Sequence, residues 1–158
     1  QLDKNQNHVI NSVKEFSKEK YKVDIFKLES PVDSSQLQNS KFNKATKDAF
    51  KQLSKATRNI QWVMLSSGMS KKSFLNCLKL AYKNGASGYL AGRTIWLDAF
   101  KDYPNYKKIT AKLSNESVGY VKKLNELTKK NAQSLEKYLT EKLIQKNSSN
   151  FKNIYKGF

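Results

Sequence analysis

The sequence predicts an α/β chain built on a parallel sheet of about three strands, followed by a helical tail. Three observations predict it. Amphipathic and apolar segments alternate as helix, strand, helix, strand, helix, strand, helix, the order that parallel strands with helical crossovers produce. The strand segments are apolar throughout rather than alternating, as expected of strands covered on both faces. Each strand also runs out into small or polar residues, at the end of the sheet where such folds gather ligands.

Taken in order, residues 7–19 place Val9, Ile10, Val13 and Phe16 on one helical face. The run VDIFKLE predicts a strand over 23–29, and Pro31 opens a turn-rich loop over 30–40. A helix is predicted from Asn43 to Thr57 with Ala45, Ala49, Phe50 and Leu53 as its apolar face. IQWVMLSSG (60–68) reads as a strand ending in a small polar turn. Ser70 is a plausible N-cap for a helix over 73–85 that stops at Gly85. SGYLAG (87–92) predicts the third strand, with helix from Thr94 onward. Beyond Pro104, the residues Val118, Val121, Leu124, Leu127, Leu135 and Leu139 predict long amphipathic helices out to about residue 145. Packing of these helices back on the domain suits their spacing better than a sustained coiled-coil heptad does.

Composition narrows the function classes. The 158 residues point to one domain with enough apolar content, 38%, to bury a core. A net charge of +17 invites a nucleic-acid reading, but the charge is almost all lysine, scattered singly or in pairs. Only Arg58 and Arg93 are arginines, which argues against a nucleic-acid partner. Cys77 is the only cysteine and sits at helical spacing with Phe74, Leu78 and Ala81, so a buried structural thiol is expected rather than a reactive one. His8 is the only histidine, which excludes His-rich zinc sites and disfavours a Ser-His-Asp triad. No apolar run approaches a membrane span and no leader pattern is visible. A cytoplasmic protein without a membrane partner is therefore expected.

The candidate chemistry lies at the strand ends. Lys27 interrupts an apolar strand, sharing one face with Ile25 and Glu29. It is either a surface lysine or an amine held in an apolar site, where loss of its proton makes it a nucleophile. Ser66, Ser67 and Gly68 form a small turn after the second strand, and such turns present amides to an anion. Gly92 and Arg93 follow the third strand, adding a helix start and a guanidinium that grips phosphate bidentately. Arg93 could instead pair with a carboxylate such as Asp98. Turns of this kind on consecutive strands match the phosphate site that (β/α)₈ barrels place after their last two strands.

The segments VDIFKLESPV, WVMLSSGMS and GASGYLAGRTIW resemble the last three strands of the tagatose 1,6-bisphosphate aldolase family. The resemblance runs from about residue 7 to residue 100. It implies the C-terminal part of a (β/α)₈ TIM barrel over residues 1–103, and a helical extension over 104–158 packing on the same domain. It also implies a metal-independent class I lyase without a cofactor, acting in the tagatose 6-phosphate pathway of lactose and other carbohydrate metabolism. By the same resemblance Lys27 forms the Schiff base within a Lys-Leu-Glu-x-Pro motif, and Ser66, Ser67, Gly68, Gly92 and Arg93 hold one substrate phosphate. Glu29, in that motif, is placed to tune the lysine. The family has an apolar or aromatic residue where this chain has Ser30.

A whole barrel takes about 250 residues, so about half of the family's length is expected here. The glutamate and other catalytic groups that the family places on earlier strands would precede residue 1. Self-association, or a complementary chain supplying strands, is the expected consequence of open sheet edges. Three functions stay open: cleavage of tagatose 1,6-bisphosphate, cleavage of another phosphorylated or sulfonated ketose, or a non-catalytic fragment with an anion site. On its own the fragment is expected to be weakly active or inactive.

Overall fold

The computed structural model describes residues 4–135. Three strands, β1 (Ile25–Leu28), β2 (Gln61–Leu65) and β3 (Gly88–Leu90), form one sheet in the order β1-β2-β3. Both pairings are parallel, with Lys27 beside Val63, and Val63 beside Gly88. The helices are α1 (Lys4–Phe16), α2 (Lys44–Ala56), α3 (Lys71–Lys83), α4 (Arg93–Phe100), α5 (Tyr106–Lys112) and α6 (Val118–Asn131). A π-helical turn, Leu113–Ser117, joins α5 to α6. An open parallel sheet with helical crossovers is part of the barrel architecture read from the sequence, and the region after it is helical.

Local chemistry sets the element boundaries. Asn43 caps α2 by accepting from the Thr46 amide at 2.7 Å, and Ser70 caps α3 by accepting from the Ser73 amide at 3.1 Å. α3 ends where Gly85 takes φ +90°, a conformation that costs a residue with a Cβ. The Ala86 amide then reaches back to the Ala81 carbonyl at 3.0 Å, closing the helix end.

The core lies on one side of the sheet. Phe26, Leu28, Trp62 and Met64 point into it and meet Phe50, Leu53, Phe74 and Leu78 from the helices. The four helical side chains are fully buried, each contributing roughly 1.5–3 kcal/mol of transfer free energy. α6 closes over α3, where the Tyr120 hydroxyl donates to the Lys71 carbonyl at 2.9 Å and Tyr82 meets the Thr128 hydroxyl at 2.7 Å. Past α6, the Gln133 amide donates to the Ala86 carbonyl at 3.1 Å, tying the chain back to the start of β3.

Several expectations are corrected. Only one face of the sheet is covered among the described residues; on the other, Ile25 is 42% and Leu90 43% exposed. Apolar strands announce that both faces avoid water in the finished fold, not which elements cover them. Phe16, expected in the core, is exposed and packs on the Tyr21 ring instead. Ala45 is exposed, and Thr46 takes its place in the buried stripe of α2. The loop over 30–40 is partly core: Pro31 and Leu37 are buried, and Asn76 of α3 donates to the Leu37 carbonyl at 2.9 Å. α6 ends at Asn131, short of Leu135, while Leu139 lies outside the described residues. No described helix is long and apolar enough to cross a membrane.

Candidate site at the strand ends

Parallel strands bring their carboxyl ends to one edge of the sheet, so Lys27, the 66–68 turn and the 92–93 turn come together there. β1 alternates exposed and buried residues, with Phe26 and Leu28 inward and Ile25 and Lys27 on the bare face. Lys27 is thus exposed in this structure, beside Val63, rather than set in a crowded apolar interior. It makes no hydrogen bond or ion pair with the described residues. Glu29, two residues on, accepts a hydrogen bond from the Ser67 hydroxyl at 3.2 Å, so the carboxylate contacts the second strand's turn.

Ser30 compensates locally for its departure from the family motif. It is buried, and its hydroxyl donates to the Val32 carbonyl at 2.8 Å while accepting from the Val32 amide at 3.2 Å. It also touches Cys77, whose buried thiol is pushed up to about 12 by loss of solvation, against a smaller opposing effect of Ser30. An inert structural thiol is what the helical spacing of Cys77 predicts.

The serine turn is built from consecutive left-handed residues, Ser67 at φ +45° and Gly68 at φ +77°. A serine rarely adopts that conformation, and such outliers persist where the surroundings pin them. Here the Ser66 amide donates to the Leu90 carbonyl at 3.0 Å and the Met69 amide to the Ser66 carbonyl at 2.9 Å. The Ser66 amide is thereby engaged, while its hydroxyl makes no hydrogen bond among the described residues. The exposed amides of Ser67 and Gly68 have no acceptor among the described residues.

Arg93 completes the arrangement. Its guanidinium lies over Gly68, 3.7 Å from where a Cβ would stand. No carboxylate of the described residues pairs with it, and Asp98 instead binds Lys101 at 2.7 Å. The Asp98 carboxyl is held below its usual range chiefly by that lysine. α4 starts with Gly92 at its cap and no side chain satisfying its first amides, so the helix dipole and guanidinium face the same space. Thr94, read from the sequence only as the start of a helix, links the two turns by donating its hydroxyl to the buried Met69 carbonyl at 2.8 Å. A threonine one step past Gly-Arg was the available signal, but its acceptor lies 25 residues away.

A groove of about 330 Å³ opens beside the serine turn, lined among others by Glu29, Asp33, Ser67 and Gly68. Among the described residues no three His, Cys, Asp or Glu side chains gather as metal ligands.

Residues 2–98 match the family model for DeoC/LacD family aldolases. Similar curated proteins include tagatose 1,6-diphosphate aldolase 1 of Enterococcus faecalis, 31% identical over 135 residues that cover 80% of this chain and 42% of the relative. Tagatose 1,6-diphosphate aldolase 1 of Streptococcus mutans is 32% identical over 136 residues, with coverage of 80% and 42%. The tagatose 1,6-diphosphate aldolase of Lactococcus lactis subsp. lactis is 33% identical over 103 residues, 60% of this chain and 31% of the relative. The chain therefore spans about two fifths of the length of the first of these relatives.

Proposed function

This chain belongs to the DeoC/LacD family of aldolases, and from that membership we propose that it carries the Schiff-base lysine and one phosphate-holding turn of an aldolase acting on tagatose 1,6-bisphosphate. The observation that carries the reading is the placement, at one end of the same parallel sheet, of Lys27 and of an Arg93 that no carboxylate of the described residues pairs with.

The Lys27 amine attacks the C2 carbonyl of the ketose. The resulting carbinolamine loses water and leaves a protonated imine. A base removes the C4 hydroxyl proton, the C3–C4 bond breaks, and its electron pair flows into the iminium to form an enamine. Glyceraldehyde 3-phosphate departs as the aldehyde. Protonation at C3 and hydrolysis of the imine then release dihydroxyacetone phosphate and restore the lysine. One substrate phosphate sits among Ser66, Ser67, Gly68, Gly92 and Arg93, where amides, helix dipole and guanidinium converge. The base that takes the C4 proton belongs to strands that a closed barrel adds.

The bare face around Lys27 favours a second reading for the chain by itself, that of an anion-binding fragment with weak or no turnover. Closure of a barrel fixes strand number, tilt and stagger together, and three strands do not supply it. Borohydride separates the readings. In a complete barrel containing these residues, dihydroxyacetone phosphate plus borohydride is expected to leave a reduced adduct on Lys27, lost in Lys27→Ala. An unmodified Lys27 in the wild-type barrel overturns the aldolase assignment.

A further inference from the structure

Glu29 lies between the two halves of the proposed site. It follows Lys27 by two residues, one step past the end of β1, roughly 7 Å along the extended chain and toward the anion turn that it contacts. Its carboxylate accepts the Ser67 hydroxyl at 3.2 Å. A serine hydroxyl has a single proton to donate. An oxyanion arriving at the 66–68 turn and the Glu29 carboxylate therefore claim the same donor.

We infer that Glu29 is a built-in competitor at the anion turn, holding the Ser67 hydroxyl until a substrate phosphate takes it over. The inference rests on the phosphate-turn part of the function proposed above. Its consequence is selectivity. A phosphate ester already tethered at Lys27 has a high effective concentration at the turn and displaces the carboxylate, whereas free inorganic phosphate must do so unaided. Ser67 suits this exchange because its left-handed backbone, pinned through Ser66 and Met69, keeps the hydroxyl at the strand end whichever acceptor it serves.

The test titrates inorganic phosphate into the whole 158-residue chain by amide chemical shifts at the turn, in wild type, Glu29→Gln, Ser67→Gly and the double variant. Ser67→Gly removes the hydroxyl while keeping the left-handed backbone relaxed. Glu29→Gln is expected to tighten phosphate binding about three- to five-fold, the range of an exposed charge coupling. In the Ser67→Gly background the same change is expected to do almost nothing. Unchanged or weaker binding in Glu29→Gln overturns the inference, as does a gain that survives without the hydroxyl, since that gain would be charge acting at a distance. If wild type binds phosphate through Arg93 and only the Glu29 arm fails, the proposed function stands without this inference. If no variant binds phosphate at the turn, both fall.

Discussion

The Thr94 hydroxyl donates to the Met69 carbonyl at 2.8 Å, and both residues are buried. This bond fixes α4 against the serine turn and so sets where Arg93 lies over Gly68. Thr94→Val keeps the shape but leaves the Met69 carbonyl buried without its partner, at a cost of about 1–3 kcal/mol. The expected outcome is a lower urea midpoint together with weaker phosphate binding, both restored by Thr94→Ser. A variant that keeps wild-type stability and affinity would show that the two turns register without this bond.

Arg93→Lys separates charge from geometry. With Asp98 engaged by Lys101, no described carboxylate depends on Arg93, so stability is expected to change little. Lysine retains the positive charge but loses the planar fork. In a complete enzyme the Michaelis constant for the bisphosphate is expected to rise by one to two orders of magnitude, about 1.5–3 kcal/mol of charge-assisted hydrogen bonding. A loss of thermal stability with unchanged KM would assign Arg93 a structural role.

What the sequence disclosed was mostly local. The Ser70 cap and the Gly85 stop depend on bonds within a few residues, and both stand where the pattern put them. The strand around Lys27 was legible from the apolar run of Val23, Ile25, Phe26 and Leu28, although Ile25 and Lys27 turn out to be exposed. What escaped depends on distant partners. The loop over 30–40 looks like surface turn until Asn76, 39 residues from Leu37, binds its carbonyl. Phe16 satisfies the helical stripe of α1 yet finds Tyr21 rather than the core. Periodicity marks which face is apolar and is silent about what lies against it, which is why the bare face of the sheet read as covered. For the site, residue types at the strand ends identified the turns, while the roles of Thr94 and of Glu29's link to Ser67 needed coordinates.

Alkaline pH is expected to destabilise the fold through its buried acids. Cys77 is pushed up to about 12 from 9.0, and Tyr82 to about 12 from 10.0, each chiefly by burial. Below about pH 8 both groups are largely protonated in folded and unfolded chains alike, so they contribute almost no slope. Between about 9 and 12 the unfolded chain releases protons that the folded chain keeps, so stability falls as pH rises. Urea midpoints are expected to be flat up to about pH 7.5 and to decline by pH 10.5. Cys77→Ala lowers stability at every pH by removing packed volume, but the decline from pH 8.5 to 10.5 is expected to be shallower. An equally steep decline in that variant would remove the thiol from the explanation.

Open edges and a bare apolar face predict that the chain alone associates. Among the described residues β1 and β3 each pair only with β2, leaving a row of backbone donors and acceptors on both outer strands. Ile25 and Leu90 are exposed on the bare face of the sheet, and Trp96, Leu97 and Phe100 are exposed on α4. The +17 charge opposes contact between copies, and salt screens it. Sedimentation at 0.3 M salt is therefore expected to show species heavier than the 18.2 kDa chain, with less association at low salt. Placing lysines on the bare face with Ile25→Lys and Leu90→Lys is expected to shift the population toward monomer, because both positions are exposed in the single chain and would be buried between copies. A wild-type chain that stays a compact, cooperatively melting monomer at 0.3 M salt would show that this face and these edges are stable in water unaided.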